Sequence, residues 1–212
     1  MKNIEINNSK LSDKLYEWSD YILDINPAKL IFTHGIVNGN DYEYVVTENC
    51  LNSFKEDKFY PDDSFLFDFN YTVDKTDDFI PYYHDFVWHL TNIDNVVSSS
   101  ERTLASIYPP DGFIGWHTNS NRPGYNIIFT FSETGNGFFR YKDPVSKEII
   151  TIQDKPGWTA KAGYFGNSSK DIFWHCAKNG KSGPRLTCSY VFNNIEDQEQ
   201  FIDFIGVEDE QM

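Results

Sequence analysis

The chain has 212 residues and a mass of 24.7 kDa, enough for one domain with a sizeable core. Its formal charge of −14 disfavours a nucleic-acid backbone as partner, and no apolar run approaches bilayer length. The first ten residues lack the apolar stretch of a signal peptide, and Cys50, Cys176 and Cys188 form an odd set without paired spacing, so the expectation is a soluble, cytoplasmic chain without a disulfide framework.

In chain order, apolar residues at Leu11, Leu15, Trp18, Ile22 and Leu23 keep a helical period, with Ser9 or Ser12 as cap and Pro27 beyond the end. Ala28 to Val37 reads as extended, and Thr47 to Phe54 as a short helix capped by Thr47. Asp62 to Tyr71 alternates around Phe65, Phe67 and Phe69, the pattern of a strand. Phe79 to Leu90 is aromatic-rich and reads as a second packing helix, on which His84 and His89 are structural.

From residue 101 the texture changes to eight short strand-like runs: Thr103–Tyr108, Gly112–Thr118, Tyr125–Ser132, Gly137–Tyr141, Glu148–Gln153, Trp158–Tyr164, Asp171–Cys176 and Arg185–Phe192. Turn residues such as Pro109-Pro110-Asp111-Gly112 and Lys155-Pro156-Gly157 separate them. Runs spaced by roughly ten residues predict a mainly β (α+β) fold with a sandwich or a jelly-roll barrel as its core. Gln198 to Ile205 closes the chain as a helix. The expected organisation is a single domain over 1–212, with 1–100 as support, 101–194 as core and 195–212 as helix and acidic tail.

Charge follows the same division. Residues 1–100 hold 7 Lys/Arg against 18 Asp/Glu, whereas residues 101–194 hold 11 against 7. A basic middle leaves room for a local anionic ligand, while the simpler reading of the acidic flanks is that they keep the protein soluble.

Within that middle, strand alternation puts Phe113, Gly115, His117 and Asn119 on one face, Phe173, His175 and Ala177 on another, and Arg185 with Thr187 on a third. Trp116 and Trp174 then point away, into packing. If those faces line the interior, two imidazoles and an amide converge at one mouth. Two His and a carboxylate on one face of an octahedron hold non-haem Fe(II) and leave three positions open. An arginine with a hydroxyl two residues on can bind a carboxylate by charge-assisted hydrogen bonds.

The run TLASIYPPDGFIGWHTN (103–119), the strand GNGFFRY (135–141) and the stretch AGYFGNSSKDIFWHCAKNGKSGPR (162–185) together resemble the Fe(II)/2-oxoglutarate oxygenases, most closely their prolyl-hydroxylase-like branch. The resemblance spans residues 103–192 and implies a double-stranded β-helix. It implies His117, Asn119 and His175 as catalytic iron ligands, and Arg185, helped by Thr187 and Tyr108, as anchor of the 2-oxoglutarate cosubstrate. O2 is the oxidant and ascorbate an accessory reductant. The implied reaction hydroxylates a C–H bond with succinate and CO2 as coproducts, on a peptide or protein, or alternatively on a free amino acid or other small molecule. Arg122, just past the His-Thr-Asn motif, is a candidate substrate contact. Asn119 stands where the family carries Asp. An amide oxygen is neutral and a weaker donor, so iron affinity should fall, and an inert binding module on the same fold is the alternative.

Overall fold

The computed structural model describes residues 1–25, 33–34, 43–54, 64–68, 80–98, 100–119, 122–168 and 170–206. Pro27 and most of the extended stretch expected over 28–37 lie outside these residues. The order is β1 (Lys2–Ile4), α1 (Ser9–Asp24), β2 (Thr33–His34), a 3-10 turn (Tyr44–Val46), α2 (Glu48–Ser53), β3 (Ser64–Asp68) and α3 (Ile80–Val96). Eight strands follow: β4 (Glu101–Tyr108), β5 (Phe113–His117), β6 (Gly124–Ser132), β7 (Phe138–Lys142), β8 (Ile149–Gln153), β9 (Gly157–Phe165), β10 (His175–Lys178) and β11 (Arg185–Phe192), then α4 (Ile195–Gly206).

Helix α1 forms where the periodic apolar residues predict it. Its cap is Asn8, not Ser9 or Ser12: the Asn8 Oδ1 accepts from Leu11 N at 3.0 Å. Thr47 caps α2 as expected, its hydroxyl accepting from Cys50 N. Leu11, Leu15, Trp18 and Ile22 of α1, Phe86, Leu90 and Ile93 of α3, and Phe201 and Ile205 of α4 bury one apolar face of a sheet. Each such side chain contributes about 1.5–3 kcal/mol on burial. Trp18 stacks on Trp158 of β9 at 5.6 Å, and Tyr190 of β11 donates its hydroxyl to Asp94 of α3 at 2.8 Å, which fixes the helices on the strands.

The jelly roll is not formed. The strands make a mixed α+β fold with two antiparallel sheets, and their order β1-β9-β6-β11-β4-β3-β5-β10-β7-β8 is an open path. Among the described residues its two ends, β1 and β8, do not pair with each other, so neither sheet closes into a barrel. Strand β3 joins the sheets: Phe67 and Asp68 pair with β4, whereas Ser64 and Phe65 pair with β5. Eight strands at even spacing are compatible with a closed barrel or an open pair of sheets, because closure depends on hydrogen bonds between strands far apart in sequence.

Three apolar layers result. The first lies under the helices. The second packs Val45, Val46, Cys50 and Leu51 against Phe113, Trp116 and Cys176 on the outer face of β5 and β10. Trp116 donates from its indole to Thr47 O at 2.8 Å, and Trp174 stacks on Phe54, so both tryptophans belong to packing as alternation implied. The third layer joins Ile128 and Phe165 of the first sheet to Phe139, Tyr141 and Ala177 of the second, with Phe173 just before β10. That inner layer borders the site.

Candidate active site

A cavity of about 360 Å³ opens beside the inner layer, and its walls include His117, Asn119, Arg122, His175, Arg185, Thr187 and Tyr108. These are the seven residues singled out from the sequence. They come from β4, β5, β10, β11 and the segment after β5.

The two histidines face each other because their strands pair in register, His175 opposite His117, with ring centroids 4.0 Å apart. A bulge follows. His175 and Ala177 are two residues apart on β10, but their partners His117 and Ile114 are three apart on β5. The simple alternation Phe113, Gly115, His117 therefore fails. Ile114 and His117 line the cavity, whereas Phe113 and Trp116 belong to the outer layer. Strand β10 is also displaced from the expected Asp171–Cys176, starting only at His175; ahead of it Phe173 N bonds Gly166 O.

Each imidazole is set by the carbonyl two residues before it. His117 Nδ1 lies 2.9 Å from Gly115 O, and His175 Nδ1 lies 3.1 Å from Phe173 O. A carbonyl can only accept, so each Nδ1 carries the proton and each Nε2 keeps its lone pair. That is how metal-binding histidines are commonly oriented. Burial lowers His117 from 6.5 to about 4, against the pull of its Gly115 hydrogen bond. Burial and then the charge of His117 push His175 well below the usual histidine range. Phe165, Phe139 and Phe173 surround the His175 ring at centroid distances of 4.8, 5.7 and 5.6 Å and supply that desolvation. Both rings are neutral donors at pH 7. The two ring nitrogens could hold a divalent transition metal, and Asn119 lines the same cavity; among the described residues no group of three or more His, Cys, Asp or Glu gathers to hold one.

Arg185 sits at the other side, 1% exposed. The Nη1 donates to Thr187 Oγ1 at 2.8 Å, and the guanidinium lies 5.1 Å from the centroid of the Tyr108 ring. Asn179 places it: its Nδ2 donates to Pro109 O at 2.8 Å and to Gly183 O at 3.0 Å, tying the end of β4 to the turn that precedes Arg185. Gly183 takes φ +69° in that turn, a conformation glycine adopts without strain. Arg122 is at the exposed rim, where it pairs with Glu101 at 2.5 Å.

Sequence reasoning missed two residues here. Asp154 is buried and accepts from Arg185 Nε at 2.7 Å, and Lys161 is 2% exposed with its Nζ 3.8 Å from the same carboxylate. Asp154 precedes Lys155-Pro156-Gly157 and looks like any surface turn acid. Lys161 carried a usable signal: in Trp158–Ala162 the residues Trp158, Ala160 and Ala162 face the helices, which leaves Lys161 on the inner face with Thr159. Burial disfavours the charged guanidinium, but the charge and hydrogen bond of Asp154 more than offset this and hold Arg185 above its ordinary range.

In this arrangement two neutral nitrogen donors and a buried cation with a hydroxyl open onto one cavity. Such a pocket can hold a metal and a carboxylate side by side. No known family profile matches the chain, and no curated protein matches it. Among solved structures it is similar to a prolyl-4-hydroxylase from Pseudomonas putida at 11% identity, covering 61% of this chain and 71% of that one, with a TM-score of 0.33. It is similar to an oxidoreductase of the 2OG-Fe(II) oxygenase family from Burkholderia pseudomallei at 12% identity, covering 61% and 65%, with a TM-score of 0.33. A cupin domain from Bordetella pertussis Tohama I aligns at 17% identity over 44% of this chain and 84% of that one, with a TM-score of 0.30. These likenesses are weak and partial. The functional reading rests on the side chains. Among the described residues no helix is long and apolar enough to cross a membrane.

Proposed function

We propose that this protein is an Fe(II)- and 2-oxoglutarate-dependent oxygenase that hydroxylates a C–H bond of a peptide or protein, in the manner of the prolyl-hydroxylase-like branch. The observation that carries the reading is the convergence of two Nδ1-protonated histidines and the Arg185–Thr187 pair on one cavity.

His117 and His175 would hold iron through Nε2, with Asn119 as third protein donor. Iron and 2-oxoglutarate together supply the oxidising power for hydroxylation, with O2 consumed and succinate and CO2 released. The protein's own part is binding and exclusion. Arg185 and Thr187 bind the distal carboxylate by charge-assisted hydrogen bonds, and Tyr108 holds the guanidinium plane from one side. Phe165, Phe139 and Phe173 keep water from the histidines. Arg122, exposed at the rim and paired with Glu101, would meet a substrate carbonyl or carboxylate.

A hydroxylase of a free amino acid or other small molecule is the second reading, favoured by a cavity volume within the range of small-ligand sites. An inert binding module is the third, favoured by the neutral amide of Asn119. Succinate release with Fe(II), 2-oxoglutarate, O2 and ascorbate separates both oxygenase readings from the binding module, and its stimulation by an added peptide or by a free amino acid separates the first reading from the second. The oxygenase reading expects release that is lost in His175→Gln and strengthened at low iron in Asn119→Asp. A carboxylate about 4 Å from a divalent ion adds several kcal/mol at an effective dielectric near 20, so the Asp variant should bind Mn(II) at least about tenfold tighter. Tight 2-oxoglutarate binding without succinate in either protein favours the binding module.

A further inference from the structure

The anchor arginine already holds a resident acid. Asp154 accepts from Arg185 Nε at 2.7 Å and reaches Nη2 at 3.5 Å, and both side chains are 1% exposed. A guanidinium neutralised by a buried carboxylate is a poor site for a second one, because the two anions repel at short range. Lys161 changes that balance. Its ammonium lies 3.8 Å from Asp154 Oδ1, the oxygen that also faces Arg185 Nη2. Two cations and one anion leave a net charge of one positive unit inside the protein, where an uncompensated charge is costly.

The ammonium is under-partnered. Among the described residues it meets only Thr159 Oγ1, at 3.5 Å, and the Asp154 oxygen. Beside it runs a row of hydroxyls on the inner face of the first sheet. Thr187 pairs in register with Ser106 on one side and Thr130 on the other, and Thr130 pairs with Thr159. Residues directly opposite in an antiparallel ladder share a face, so Ser106 and Thr130 lie on the inner face of the sheet beside Thr187, which lines the cavity. Both are 1% exposed, and among the described residues both hydroxyl oxygens lack a partner. Buried hydroxyls are normally bonded, and such exceptions call for a reason.

We infer that Lys161 is a positioning residue that takes up the charge of Asp154, leaving Arg185 free to bind one carboxylate along the Ser106–Thr187–Thr130 hydroxyl row. This rests on the carboxylate-anchor reading above and adds a residue on β9 that does not line the cavity. The cluster admits a single carboxylate, since a second would reverse its sign. Lys161 also links binding to protons. Burial lowers its ammonium to about 8, with Asp154 raising it and Arg185 lowering it further. Among the described residues the charged groups that face it are Asp154 and Arg185; its ladder partners, Ile128 on β6 and Asn3 on β1, carry no charge. A carboxylate arriving on Arg185 raises the affinity of Lys161 for its proton, so binding near pH 8 takes up as much as about half a proton.

The test is calorimetric titration of the full chain, metal-free with succinate and Mn(II)-loaded with 2-oxoglutarate, in two buffers of different ionisation enthalpy. Lys161→Met should weaken both anions by about tenfold or more, the size of one charge-assisted contact, and Lys161→Arg should restore them to within about threefold. Wild-type binding at pH 8 should take up protons, and binding to Lys161→Met should not. Should the Met variant fail to fold, the wild-type proton count still decides. Equal binding by wild type and Lys161→Met, or no proton uptake by wild type at pH 8, overturns the inference alone. A wild type that binds neither anion overturns the anchor reading and this inference together.

Discussion

Replacing Arg185 by methionine should unfold the protein more easily as well as disarm its site. The side chain is 1% exposed and bonds an equally buried Asp154 at 2.7 Å. Removing one member of such a pair leaves the other charged and unmatched, which costs about 3–5 kcal/mol. Lys161, 3.8 Å from the same carboxylate, relieves part of this, so the expected loss is at the low end, about 3 kcal/mol. For a chain of this length each kcal/mol moves the midpoint by about 2–4 °C, giving a fall of roughly 6–12 °C. Asp154→Asn alone leaves two cations facing each other and should lose a similar amount. The double variant Arg185→Met/Asp154→Asn should lose about 4 kcal/mol where independent sites would lose about 6, a coupling energy of about 2 kcal/mol in a cycle of thermal or urea unfolding on all four proteins. Coupling below about 0.5 kcal/mol would refute the reasoning, because it would make the pair energetically independent. The double variant is also the proper control for the anchor, since it removes the guanidinium without leaving a stranded acid.

The metal-free protein should lose stability in mild acid through its histidine pair. In the unfolded chain His117 protonates near 6.5, but in the fold only near 4. Between these values the unfolded state binds more protons, so stability present above pH 6.5 is lost as pH falls toward 4, by about 3 kcal/mol. His175 shifts in the same direction. Urea unfolding of wild type and His117→Gln across that window should show a shallower loss in the variant, and equal slopes would count against the buried neutral pair.

The helical face of α1 was legible because Leu11, Leu15, Trp18 and Ile22 all point into one layer. Its cap was not, since Asn8, Ser9 and Ser12 are all good capping types and only the chain path selects Asn8. Most strand positions after residue 100 followed from their turns, and the Arg185 strand was read to its ends, but β10, expected over Asp171–Cys176, runs His175–Lys178. Sheet closure was not legible, because it depends on whether β1 and β8 meet, and nothing local to Lys2–Ile4 or Ile149–Gln153 carries that information. The bulge at Gly115–Trp116 likewise arises from pairing with β10, so alternation put His117 on the right face and Phe113 on the wrong one. That the seven candidate residues meet at one cavity was legible from their motif spacing, which outlasts such details. The charge partners behind them were not. Asp154 sits in an ordinary-looking turn, and its role exists only once β9 and β11 lie in the same sheet and Arg185 reaches across.

The central claim is that the two histidines hold a metal next to an Arg185-bound carboxylate. A crystal soaked with Mn(II) and 2-oxoglutarate tests it most directly. The account predicts metal bonded to Nε2 of both His117 and His175, with the keto acid's far carboxylate on Arg185 and Thr187. Metal bound elsewhere, or a cavity without keto acid at saturating concentration, would contradict it.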